Sequence, residues 1–196
     1  HPINATYPNF ASDIEQRHYD PDKAKFYMNK AGLAKVSVKL SAADAAFSRA
    51  VDAAVLYQDQ AAKAGIEIEV VRVPSDGYWS NVWMQAPWCA AYWFGTATPD
   101  GILTQAYSAG ASWNDSYWKN DRFNTLLVAA RAEQDKAKRK DMYHEMQVLV
   151  KDEGGVVVPL FANDLFAITD NVRHGELATV NEVDGRLFFE RWWFAA

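Results

Sequence analysis

The chain has 196 residues, 49% hydrophobic and 23% charged, with 20 Lys and Arg against 25 Asp and Glu for a formal net charge of −5. That composition is a folded domain's and argues against disorder. The mild acidity argues against a nucleic-acid surface, which needs concentrated Lys and Arg. No apolar run reaches the roughly 18–20 residues of a membrane span, and a single cysteine leaves no intrachain disulfide. The opening His1-Pro2, in place of Met, points to a processed chain or a fragment.

Residues 1–19 carry Pro2, Pro8 and several Asn without a hydrophobic period, and read as an extended crossing segment. Asp20-Pro21 then supplies an N-cap and a first-turn proline. Ala24, Tyr27, Met28 and Ala31 recur at helical spacing, and Gly32 is placed as a left-handed stop. Val36, Val38 and Leu40 alternate with polar residues as a strand does. Ser41 and Asp44 resemble a capping box for an Ala-rich helix over about Ala42–Ala64, with Phe47, Val51, Ala54 and Gln58 on one stripe. Ile66, Ile68 and Val70 form a second strand, so the pair predicts a parallel βαβ unit.

Trp79, Val82, Trp83 and Ala86 share a helical face that Pro87 ends, and Trp88–Phe94 reads as a buried strand. Gly95–Gly101 and Tyr107–Asn120 read as loops. Phe123, Leu126, Leu127 and Ala130 mark one helix face; Met142, Tyr143, Met146, Leu149 and Val150 mark another, with Asp135–Lys140 as a solvated corner between them. Val156–Phe161 reads as a short strand broken by Pro159, and the chain ends in the aromatic cluster Phe188, Phe189, Trp192, Trp193 and Phe194.

Catalytic patterns are few. His144-Glu145-Met146-Gln147-Val148 lacks the second histidine of a zinc-protease helix, and no phosphate-binding or nucleophile-elbow glycine motif occurs. Cys89 lies in an apolar run, where a thiol is inert. Neither a catalytic residue, a metal nor a cofactor is expected. The stronger signal is aromatic: 11 of the 41 residues from Tyr78 to Trp118 are aromatic, against 16 in the other 155. Trp83 and Trp88 fit a core. Trp93, ahead of a Gly-Thr loop, and Trp113, in a Gly/Ser/Asn loop, fit either a core or a ligand wall, because aromatic faces beside hydroxyls and amides suit a polar organic solute.

These segments together resemble the C-terminal part of the family 5 extracellular solute-binding proteins, the periplasmic dipeptide/oligopeptide-type receptors of ABC importers. The resemblance runs through Tyr19-Asp20-Pro21-Asp22-Lys23-Ala24-Lys25 with Ala31-Gly32, and Ala64-Gly65-Ile66-Glu67-Ile68-Glu69-Val70. It continues in Trp93-Phe94-Gly95-Thr96 with Pro99-Asp100, and in Arg122-Phe123-Asn124 through Tyr143 to Val158-Pro159-Leu160. It implies an α/β fold: the second lobe of a type II periplasmic-binding-protein-like fold, a mixed sheet flanked by helices. Residues 20–165 would be the ligand-binding lobe, 1–19 the crossing, and 166–196 a tail packing on the first lobe.

The resemblance also implies a non-enzymatic receptor of an exported, periplasmic bacterial protein, partnered by an ABC permease and by its own N-terminal lobe. Trp79, Trp93, Gly95 and Thr96 fall where that family lines its cleft, and Trp113 and Asn114 join them from their loop composition. Thr96 stands where the peptide binders carry an Asp for the peptide amino group, which favours a neutral or differently charged solute: a sugar, an opine-like compound or a modified peptide. Two rivals remain. A carbohydrate-active hydrolase needs paired carboxylates about 5–10 Å apart, for which the aromatic segment offers Asp76, Asp100 and Asp115. The other is a purely structural interaction domain.

Overall fold

The computed structural model describes residues 1–179 and 181–195. The chain forms two compact units: residues 15–92, and residues 1–14 together with 93–196.

In the 15–92 unit, α1 (Pro21–Lys30) starts where Asp20 Oδ1 accepts the Lys23 N–H at 2.8 Å, and it ends at Gly32, whose φ of +73° only glycine adopts without strain. The helix forms as its sequence dictates, yet none of its residues is buried within the unit. β1 (Val36–Ala42) and β2 (Ile66–Arg72) pair in parallel, Val36 opposite Ile66 through Ala42 opposite Arg72. Lys35–Glu67 and Lys39–Glu69 ion pairs line their wet face, while Leu40, Ala42 and Ile68 pack under Ala54 of α2 (Ala50–Ala62). That is the predicted βαβ unit.

Its helix begins eight residues later than expected. Ala42 belongs to the strand, and Ala43, Ala46 and Ala50 pack with Tyr78 in a second small core. Tertiary packing of these small side chains overrides their helix propensity. The Ser41–Asp44 box is not made: Asp44 Oδ1 accepts from the Val51 N–H, and Arg49 caps α2 from the left-handed region. α3 (Tyr78–Asn81) is a single turn, so the expected face through Ala86 is cut short.

Trp88–Phe94 is not the strand the apolar run suggested. One bridge forms, with the Ser41 N–H donating to the Trp88 carbonyl and the Ala90 N–H to the Ser41 carbonyl; Tyr92 and Phe94 are exposed.

The second unit is built on two helices whose predicted faces pack into its core. α5 (Asp121–Ala132) is capped by Asn120 and α6 (Lys136–Glu153) by Asp135, each side chain accepting first-turn N–H groups. Phe123, Leu126, Leu127, Ala130, Tyr143, Met146 and Val150 meet in its core. The corner is shorter than expected, residues 133–135, because Asp135 starts α6 at once. Ile3, Tyr7 and Ala11 are buried here too. Gln147, fully buried on α6, anchors them: its Oε1 accepts from the Ala11 N–H and its Nε2 donates to the Asn9 carbonyl.

After Gly154 the chain changes character. Residues 157–171 are exposed, and the strand expected at Val156–Phe161 has no partner among the described residues; Pro159 has no N–H to offer one. β3 (Val172–His174) pairs antiparallel with β4 (Trp192–Phe194). Asp184 ties this small end together, accepting from the Ala178 N–H and the Trp192 indole and meeting Arg191 at 2.8 Å; these hold its carboxyl below the usual aspartate range. Among the described residues no helix is long and apolar enough to cross a membrane.

Candidate functional site

The second unit gathers most of the predicted site residues on residues 93–120. Trp93 packs partly on the α5–α6 core, as the core reading expects. It has two further contacts. The ring lies 6.2 Å from that of Trp113 at a 54° tilt, and its Nε1–H donates to Asp115 Oδ2 at 3.3 Å. Trp113 is 52% exposed, too open for a core residue. The end-of-strand position expected for Trp93 is not found, since no strand precedes it.

Gly95 is exposed. Thr96 is tied on every side: its N–H donates to Tyr7 Oη at 2.7 Å, its hydroxyl to the Thr98 carbonyl at 2.7 Å, and its β-carbon faces Gly101. The loop expected over Gly95–Gly101 already turns helical at α4 (Pro99–Ile102), followed by a π-helical stretch, Leu103–Tyr107. Thr98-Pro99-Asp100 is the same cap-then-proline signal as Asp20-Pro21, and could have been read. The wider π turn carries Thr104 toward Asp100, and both meet Arg131 of α5: Nε bonds Asp100 Oδ1 at 2.8 Å and Nη2 bonds Thr104. The Asp100 bond raises the Arg131 pKa further. Short π segments often mark functional places in helices.

Asn114 is 5% exposed. Its amide donates to the Ser108 and Trp118 carbonyls and its oxygen accepts from Ser116, so it shapes the loop that presents Trp113. Between the π stretch and that loop lies an open groove of about 470 Å³, lined by Thr104, Gln105, Ser108, Ala111, Ser112 and Trp113. Hydroxyls and an amide flank one indole. Beneath it Tyr107 is buried, and burial with the nearby Asp115 charge pushes its hydroxyl pKa well up.

Trp79 belongs to the other unit. Its ring makes edge-to-face contacts with Tyr78, Trp83 and Tyr92, at centroid distances of 5.4–5.8 Å. Tyr78 anchors this ladder, donating to the Ala90 carbonyl at 2.6 Å.

No three side chains of metal-ligating type converge among the described residues. His144 instead meets Asp13 at 3.1 Å. Two of the carboxylates a hydrolase would need are otherwise engaged: Asp100 is ion-paired to Arg131, and Asp115 accepts from the Trp93 indole.

The family model for bacterial extracellular solute-binding proteins, family 5 Middle, matches residues 1–140. The dipeptide-binding protein of Escherichia coli (strain K12) is 28% identical over 172 residues, covering 80% of this chain and 31% of that protein. The periplasmic binding protein DppA from Helicobacter pylori, solved with the peptide STSA, superposes with a TM-score of 0.64 at 24% identity, over 79% of this chain and 31% of its own. NikZ from Campylobacter jejuni, solved with Ni(L-His), superposes at 0.67 and 19% identity, over 79% and 34%. These likenesses establish an α/β fold of the type II periplasmic-binding-protein class, of which the chain spans about a third.

Proposed function

The chain belongs to the family 5 bacterial extracellular solute-binding proteins, and we propose that it forms part of a receptor that captures a small polar solute for an ABC importer. The solute is peptide-like, opine-like or a sugar. The relatives are binding proteins, with no enzyme among them, and the hydrolase reading finds no support.

The observation that carries the ligand site is the Trp93–Trp113 pair beside a groove of hydroxyls and amide. Trp93 and Trp113 offer indole faces, and Gly95 lets a ligand approach the backbone closely. Thr96 and Asn114 hold the two loops in place, and Trp79 offers an aromatic edge in its own unit. Ligand bound to this chain and to the rest of the receptor would stabilise the closed state by differential contact, and delivery to the permease would follow. The address is that of an exported, periplasmic protein, and the tail from residue 166 packs on the remainder of the receptor.

The test begins with the intact protein purified from its native source and its bound solute identified by mass spectrometry. With that solute, Trp93→Ala weakens binding by at least tenfold in calorimetry, and an unchanged Kd counts against the site. A ligand-dependent rise in Tm separates a receptor from a structural interaction domain.

A further inference from the structure

The geometry points to Arg131 and Asn124 of α5 as positioning residues of the groove: they hold the π-helical stretch Leu103–Tyr107 at its two ends and so set the wall that Thr104, Gln105 and Ser108 give to a ligand. This rests on the receptor reading above. Neither Arg131 nor Asn124 is among the groove's lining residues.

A π turn closes its hydrogen bonds over five residues where an α turn takes four, and few helices keep one. Losing the extra residue rotates all that follows by about 100°, one α-helical step. Leu103, Ala106 and Tyr107 face the α5–α6 core. Ser108 follows them at once in extended backbone, and the loop that presents Trp113 comes next. The shape of the groove therefore depends on the π turn being kept.

Two side chains of α5 keep it. At the first end, Arg131 Nε donates to Asp100 Oδ1 at 2.8 Å and Nη2 donates to Thr104 Oγ1, while the Thr104 hydroxyl lies 3.4 Å from Asp100 Oδ2. These three side chains close a ring across the junction of α4 and the π stretch. A planar guanidinium fork suits that place, because it bonds two acceptors at once in fixed geometry. At the other end, Asn124 Oδ1 accepts the Ala109 N–H at 3.0 Å, and its Nδ2 donates to the Asn120 carbonyl at 2.8 Å. Arg131 and Asn124 are seven positions apart, two turns or about 10.5 Å along one face of a helix. Phe123, Leu126, Leu127 and Ala130 fix that helix in the core. The pitch of a rigid element thus sets the span between the two anchors, which holds a site more precisely than a loop does.

The test uses the intact receptor and four variants: Arg131→Gln, Asn124→Ala, Asn124→Asp, and Arg122→Gln as control. Asn124→Asp keeps the oxygen for the Ala109 N–H. Arg122→Gln removes the other ion pair of α5, Arg122–Glu145, away from the groove. The probes are pools of synthetic di- to tetrapeptides, N-carboxyalkyl amino acids and neutral oligosaccharides. Compounds retained by the wild type are identified by mass spectrometry and their Kd measured singly on each protein, with hydrogen exchange of amides 103–109 followed alongside. Arg131→Gln and Asn124→Ala are expected to weaken binding at least tenfold and to speed exchange at 103–109, with exchange along α6 unchanged. Asn124→Asp returns the Kd to within about threefold of wild type, and Arg122→Gln leaves it unaltered. Should Arg131→Gln fail to fold, the Asn124→Ala and Asn124→Asp pair decides. An unaltered Kd or unaltered exchange in either folded anchor variant overturns the positioning role and leaves the receptor standing. So does an equal loss of binding in Arg122→Gln. Retention of nothing from any pool by the wild type overturns the receptor reading and this role with it.

Discussion

A β-carbon on residue 101 would lie 2.7 Å from Thr96 Cβ and 2.9 Å from its hydroxyl, closer than real β-carbons sit. Glycine here answers a close approach inside a helix, not a positive φ. Gly101→Ala gains roughly 1 kcal/mol of helix propensity and meets an overpacking cost of about 1–3 kcal/mol. The expected net effect is a lower urea midpoint. The same substitution in a Thr96→Gly background is neutral or stabilising, and a double-mutant cycle that shows no coupling would refute the contact. Thr96 is thereby fixed from three directions, by Tyr7, Thr98 and Gly101. The sequence marked Thr96 as a candidate site residue; its lack of conformational freedom was not legible there, because Tyr7 lies 89 residues away.

Elements tell a similar story about range. α1, β1, β2 and α5 stand where hydrophobic period put them, and α6 does so apart from its earlier start at Asp135, since those signals act within one or two turns. The start of α2 failed because Ala43 and Ala46 are claimed by Tyr78, a partner more than thirty positions on. Trp88–Phe94 failed because apolar content alone does not supply a neighbouring strand. Between α5 and α6 the bidentate Arg122–Glu145 pair, at 2.6 and 2.7 Å, holds the Glu145 carboxyl below its usual range. A depressed folded-state pKa contributes stability that is present in full above the ordinary glutamate value near 4.5 and is lost as pH falls through the folded value. Wild type and Glu145→Gln are thus expected to differ in urea midpoint at pH 7 and to converge near pH 3. Both side chains are substantially exposed, so the difference is small and shrinks further in high salt. A gap that persists undiminished at low pH would sink this account.

At the scale of the molecule, the segment after Gly154 exposes many large apolar side chains. Val157, Val158, Leu160, Phe161, Leu165, Phe166 and Ile168 all face water, Leu165 at 93% exposure. Exposed apolar side chains in such number favour association. The 196-residue chain by itself is expected to self-associate with rising concentration in light scattering, and residues 1–156, which retain the α5–α6 core, to remain monodisperse. Equal behaviour of the two would place the association elsewhere. The interrupted second unit has a consequence of its own, in time. Ile3, Tyr7 and Ala11 are buried against α5 and α6, and the Ala11 N–H finds Gln147 only 136 residues later. At roughly 5–20 residues per second, that partner leaves the ribosome about 7–27 s after Ala11 does. The intervening 15–92 unit has by then been made in full, so it can fold first, while the opening segment waits as an unpaired hydrophobic strip, a natural client for a holding chaperone.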